Sequence, residues 1–154
     1  MRPITLLFIA TVMLSSCASG PSKALSKQET TDLLGPNASS SISWEKVAGP
    51  DFNVYHGYPK PPLLGEVGFY VGGHPSFQAD AGSTKHAGHL GDYKTTWHRK
   101  SRANGTIYQT ALFPLIEMTK IHAWVSAHNA ADLDTLTRDL GALRIFSKRG
   151  STTR

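Results

Sequence analysis

One stretch of this chain constrains the fold more than any other. Asn129 is followed by AADLDTLTRDLGALRIF, where Leu133, Leu136, Leu140 and Leu143 recur at spacings of three and four. Asn129 is placed to cap a helix, Asp132 and Asp134 lie at the positive end of its dipole, and Arg138 and Arg144 lie toward the negative end. A single apolar helical stripe cannot bury itself, so the rest of the chain must supply the surface that covers it.

What precedes the helix alternates with a period of two. DFNVYHGY sets Phe52, Val54 and His56 against Asn53, Tyr55 and Gly57, and GEVGFYVGG sets Val67, Phe69 and Val71 against Glu66, Gly68, Tyr70 and Gly72. Between them, YPKPPLLG breaks regular pairing because its three prolines lack amide donors. GDYKTTWHRK puts Tyr93, Thr95 and Trp97 on one face, SRANG carries an Asn-Gly hairpin signal, and TIYQTALFPL and IHAWVSA follow as strands. With Asn104 and Gly105 as the two turn residues, Trp97 falls opposite Leu112 and Arg99 opposite Thr110. The stretch HPSFQADAGSTKHAGH has no period and reads as a long loop, a feature often tied to function.

These segments predict an α+β domain: an antiparallel sheet of 4–5 strands with one C-terminal amphipathic helix packed on one face. The order of elements is similar to that of the PsbP fold, a curved sheet closed by a late helix. A likeness of element order implies nothing about activity.

The N-terminus bears on location. Arg2 precedes an apolar run from Ile4 to Leu14 that ends in Ser15, Ser16 and Cys17, the only cysteine of the chain. Eleven residues of helix span roughly 16 Å, too short for a hydrocarbon core of about 30 Å, and a charged start with small residues before a cut marks a secretory signal. The sequence LSSC at 14–17 resembles the lipobox of bacterial lipoprotein precursors. That resemblance implies cleavage of a signal peptide at 1–16 and a diacylglycerol, with further acylation such as palmitate, on Cys17. Ala18 stands where an aspartate often marks inner-membrane retention, which implies the periplasmic face of the outer membrane. A lipid-consumed sulfur leaves none for a disulfide, so the fold has to hold by core packing.

Residues 17–43, rich in Ser, Thr, Gly and Pro, read as the lipidated cysteine and a flexible tether, with a short helix accommodated around Thr30 to Leu34. The domain is expected over 44–146, and 147–154 as a disordered basic tail. Removing 1–16 takes away only Arg2, which leaves a chain near +4. That is too mild for a nucleic-acid-binding excess.

Three chemistries compete for the domain. WHRKSRANG gathers Arg99, Lys100 and Arg102 with His98 at an expected hairpin tip, a cationic contact for an anionic envelope polymer or an acidic partner protein. Tyr55, Tyr58 and Tyr70 lie among prolines and glycines and offer an aromatic contact surface. His74, His86 and His89 share the expected loop and suggest, as the alternative, handling of zinc, copper or haem, although no acidic or thiolate ligand joins them in a recognisable pattern. His122 and His128, if on one straight strand, lie roughly 20 Å apart and cannot share an ion. His74, Ser76 and Asp80 sit close in sequence, but triads are assembled by geometry and the strand-turn-helix context of a nucleophile elbow is missing. The sequence therefore points to a non-catalytic, outer-membrane-anchored binding module with no cofactor, followed by metal or haem handling and then by a purely structural envelope lipoprotein.

Overall fold

The computed structural model describes residues 21–35, 41–116 and 118–147. Its elements are β1 (Lys23–Ala24), α1 (Lys27–Leu34), β2 (Ile42–Ala48), β3 (Phe52–Pro59), β4 (Gly65–Gly72), β5 (Thr84–Leu90), β6 (Tyr93–Ser101), β7 (Ile107–Ile116), β8 (Thr119–Ala127) and α2 (Ala130–Gly141), then a 3-10 turn at Arg144–Phe146. The strands form one antiparallel sheet in the order β1-β2-β3-β4-β8-β7-β6-β5. The fold is thus mostly β, with eight strands rather than four or five. Two meanders, β1 to β4 and β5 to β8, meet where β4 pairs with β8.

The strands read from the sequence are β3, β4, β6, β7 and β8; β1, β2 and β5 are additional. Ile42 and Trp44 of β2 are buried and Trp44 packs edge-on against Phe69, yet the serine-rich run before them obscures the alternation. β5 is an edge strand, TKHAGHL, whose side chains are exposed except near its end, so it has no apolar pattern to read. Its register is set by a two-residue turn, Gly91-Asp92, closing on the pair Leu90–Tyr93. The segment 74–89 is therefore a loop only as far as Ser83, and His86 and His89 are strand residues.

Part of the expected tether is ordered. β1 pairs with β2, and α1 begins at a capping box in which Ser26 Oγ accepts from the Glu29 amide while the Glu29 carboxylate accepts from the Ser26 amide. That carboxyl is held below its ordinary pKa by the two bonds to Ser26. Leu25 and Leu33 pack against the core. Cys17, the expected signal peptide at 1–16 and residues 148–154 of the expected tail lie outside the described residues.

α2 follows the central strand β8 and lies back over one face of the sheet, touching β4, β8 and β5. Asn129 caps it, its Oδ1 accepting from the Asp132 amide at 2.9 Å. Leu133, Leu136 and Leu140 are fully buried, and each contributes roughly 1.5–3 kcal/mol relative to exposure. They cover Val67, Phe69, Ile121, Ala123 and Val125, the core-facing residues of the two central strands.

The β6–β7 hairpin departs from its expected register. Asn104 and Gly105 do lie in the turn, but the turn is closed by Arg102 N–H to Thr106 O at 2.8 Å and by Gly105 N–H to Arg102 O at 3.0 Å. The ladder pairs His98 with Thr110 and Arg99 with Gln109, one residue off the expected alignment. Trp97 is a core residue, as expected, but because side chains alternate that single step puts it on the face of Ala111 and leaves Leu112 on the other face, exposed.

Candidate functional site on the uncovered face of the sheet

α2 covers one face. The opposite face is crossed by a row of cross-strand partners that runs nearly the width of the sheet: Glu45, His56, Gly68, Trp124, Thr110, His98 and Lys85. Gly68 is the key position, since it leaves room for the Trp124 ring to lie across β4. The flattened indole then donates Nε1–H to Glu66 Oε1 at 3.2 Å and meets His56 on one side at 5.7 Å and His122 on the other at 5.6 Å. Tyr70 and Phe52 stack beside this row at 5.6 Å.

The connection from β4 to β5, residues 73–83, must travel from the middle of the sheet to its edge, past β8, β7 and β6. It does so over this uncovered face. Phe77 fixes it, presenting its ring to His122 at 5.2 Å and to His98 at 5.7 Å, and Lys100 Nζ donates to Ala81 O at 3.0 Å. At the near end the His74 amide donates to the Tyr70 hydroxyl at 3.3 Å. The result is a continuous band of half-buried rings, His56, Trp124, His122, Phe77 and His98, each meeting the next edge-on or tilted, at interplanar angles between 54° and 77°.

His122 lies in the middle of the band, between Phe77 and Trp124. Burial holds its imidazole below the ordinary histidine pKa. Its Nε2 lies 2.6 Å from Thr110 Oγ1, whose own proton goes to Ala123 O at 3.0 Å. That arrangement assigns the tautomer: Nε2–H donates to Thr110, and Nδ1 is the free acceptor. Thr110 is only 4% exposed, so its hydroxyl is a structural link and not a nucleophile.

Charge is divided along the row. Glu45 and Glu66 stand toward β2 and β4, and Tyr58 donates its hydroxyl to Glu45 at 3.3 Å. Lys85, Lys94 and Lys100 stand at the β5–β6 end, and Arg102 lies over the Tyr108 ring at 4.6 Å.

The three basic residues singled out from the sequence do not form one cluster. Lys100 and Arg102 reach the uncovered face beside Tyr108. Arg99 belongs to the other face, where its Nε and Nη2 both donate to Gln109 Oε1, at 3.1 and 2.8 Å. Gln109 is 1% exposed and passes the connection on, donating to Thr137 Oγ1 of α2 at 2.6 Å. Arg99 thereby ties sheet to helix.

The histidines of the alternative are also separated. His74 follows β4, whereas His86 and His89 lie on the far edge strand, three residues apart, so their side chains start on opposite sides of it. His86 Nε2 sits 2.8 Å from Thr84 Oγ1. Among the described residues, no group of three or more His, Cys, Asp or Glu side chains gathers as a metal site. Of the tyrosines, Tyr58 and Tyr70 lie on the uncovered face, while Tyr55 stacks on Phe69 at 4.6 Å in the core layer. Burial raises the Tyr55 hydroxyl above its ordinary pKa, with the Glu29 charge adding to it.

Sequence reasoning missed Trp124, His56 and Phe77 as partners. The alternation of IHAWVSA does put His122 and Trp124 together on the polar side of β8, which is the signal that finds them. Searches against protein families, characterised proteins and solved structures find no match to this chain.

Proposed function

We propose that this chain is a lipid-anchored protein on the periplasmic face of the outer membrane, and that its domain works by binding a partner protein of the envelope through the uncovered face of the sheet. The observation that carries this reading is the ring band centred on Trp124, contiguous, partly exposed and flanked by opposite charges. Trp, Tyr and Arg are the residues that dominate protein interfaces, because each offers a large rigid contact area with a polar tip. Half-buried aromatics on a face that no helix covers are a contact surface by the same logic. The lipobox resemblance supports the anchor: two or more acyl chains hold a protein stably at a membrane, whereas one binds only reversibly. The Lys100–Arg102–Tyr108 end of the band also suits an anionic envelope polymer, a second reading that the same experiment separates from the first.

The test is crosslinking in native membranes followed by purification and mass spectrometry, with the wild-type chain beside Trp124→Ala, Lys100→Ser with Arg102→Ser, and Cys17→Ser. A specific protein recovered with the wild type and lost with Trp124→Ala, in a variant that still melts cooperatively, is the expected result. Loss only with the Lys100 and Arg102 pair, together with anionic polymer in the wild-type eluate, favours the second reading. A partner set indifferent to every variant overturns both.

A further inference from the structure

β6 and β7 part company. Their ladder runs from Ser101–Ile107 to His98–Thr110 and then stops, although β6 continues back to Tyr93 and β7 on to Ile116. The turn Gly91-Asp92 closes on Leu90–Tyr93, which must be a doubly hydrogen-bonded pair, so alternation along β6 aims the main-chain groups of Tyr93, Thr95 and Trp97 at β5. Those of Lys94, Thr96 and His98 aim at β7. The same alternation on β7 aims Leu112 and Pro114 at β6. His98 finds Thr110; Lys94 and Thr96 have no ladder partner on β7 among the described residues. Pro114 has no amide to offer, which accounts for a proline inside an interior strand at this place.

The seam opens onto the uncovered face as a hollow of about 470 Å³, lined by Phe77, Lys94, Thr95, Thr96, His98, Leu112, Phe113 and Pro114. Phe77, Leu112 and Pro114 make apolar walls. Lys94 is an exposed cation at the rim, and no acidic side chain lines the space. Lys94 and Thr96 aim their main-chain groups toward this space without a ladder partner on β7, and since both residues are exposed those groups are within reach of solvent or of a bound molecule. Thr95, in the same lining, has a buried hydroxyl with no hydrogen-bond partner.

We propose that this seam is a binding site for a small monocarboxylate with an apolar body, its ring or chain under Phe77 and against Leu112 and Pro114, its carboxylate toward Lys94 and the seam amides of Thr96 and Leu112. The volume lies within the range of small-molecule sites, about 300–1,000 Å³. The charge follows from the lining: one lysine with no carboxylate to compensate it favours an anion. This site shares Phe77 and His98 with the ring band but does not rest on the partner reading, since it concerns the cleft between two strands and is read at amides inside it.

The test uses the full chain carrying Cys17→Ser, with 2-naphthoate as probe and 2-naphthylmethylammonium as the charge-reversed control, followed by amide and methyl NMR. Saturable shifts at the amides of Lys94, Thr96 and Leu112 with 2-naphthoate are expected, with the ammonium probe at least tenfold weaker. Lys94→Glu, a surface change that leaves the fold intact, weakens 2-naphthoate at least tenfold, and Thr96→Trp, which fills the seam, abolishes its shifts. No saturable shift at those amides, equal binding of the two probes, or full binding by Lys94→Glu overturns the proposal.

Discussion

Trp124 lies across Gly68, so close that a Cβ built on Gly68 overlaps the indole at Cζ2 and stands 2.7 Å from Tyr55 O. The first clash is with a side chain that has room to swing; the second is with backbone, which does not. Gly68→Ala is therefore expected to cost about 1–3 kcal/mol, the range for overpacking a fitted site. It also lifts Trp124 off the sheet. Trp44 and Trp97 are each 4% exposed, so Trp124 dominates quenching by a soluble quencher. Urea unfolding and iodide quenching check both effects: a lower midpoint and stronger quenching in the variant.

His122 predicts a pH dependence. Its folded pKa is depressed by burial, while in the unfolded chain it returns to about 6.5. Between the two values the unfolded state binds more protons, so the contribution of His122 is fully present above about pH 6.5 and is lost as pH falls toward the folded pKa. The imidazolium would have to form between Phe77 and Trp124, where burial opposes charge. Thermal melts from pH 7.5 to 5 should show a falling Tm that flattens in His122→Gln. An unchanged slope in that variant would show that His122 is not the group responsible.

The elements that declared themselves in the sequence are those whose burial is periodic. Leu133, Leu136 and Leu140 marked α2, and Val67, Phe69 and Val71 marked β4, because one side of each meets the core. β5 carries no such mark, since an edge strand has little to bury; only the Gly91-Asp92 dipeptide hints at its hairpin. The composition of 17–43 reads as a tether with only a short helix around Thr30 to Leu34; α1 starts earlier, at Lys27, because Ser26 and Glu29 form a capping box there. The candidate site was half legible. Each strand contributes one or two of its residues, and what unites His56, Trp124 and His98 is strand order, which local patterns do not encode.

Arg99 illustrates the cost of that gap, since a run of basic residues in sequence splits between two faces in the sheet. Its bidentate bond to Gln109, and Gln109's bond to Thr137, place a polar chain between sheet and helix. Gln109→Ala strands the Arg99 guanidinium and removes the link to Thr137, at a cost of about 1–3 kcal/mol for the orphaned group. Arg99→Ser should lower stability in the same direction, whereas Arg102→Ser, on an exposed turn, changes it by less than about 0.5 kcal/mol. A double-mutant cycle on Gln109→Ala and Thr137→Ala should give a coupling of about 0.5–3 kcal/mol. Additive effects would show that the chain is not a working link.

Gly91 makes the sharpest test of how the sheet edge is held. Its φ of +57° already disfavours a side chain, and a Cβ there would overlap Phe146 O and lie 2.8 Å from Gly141 O. The neighbouring Asp92 amide donates to that same Phe146 oxygen at 2.9 Å, so the hairpin turn is seated on the chain end that leaves α2. Gly82 and Gly105 also have positive φ, at +80° and +81°, but nothing lies within 4 Å of a Cβ at either. Backbone strain alone costs about 1–2 kcal/mol, and that is the expectation for Gly82→Ala and Gly105→Ala. Gly91→Ala must add the loss of the seat to the strain, so its unfolding free energy should fall further than in either control. If all three variants lose the same stability, β5 and β6 are held by their ladder alone, and the contact with Phe146 contributes nothing to the edge of the sheet.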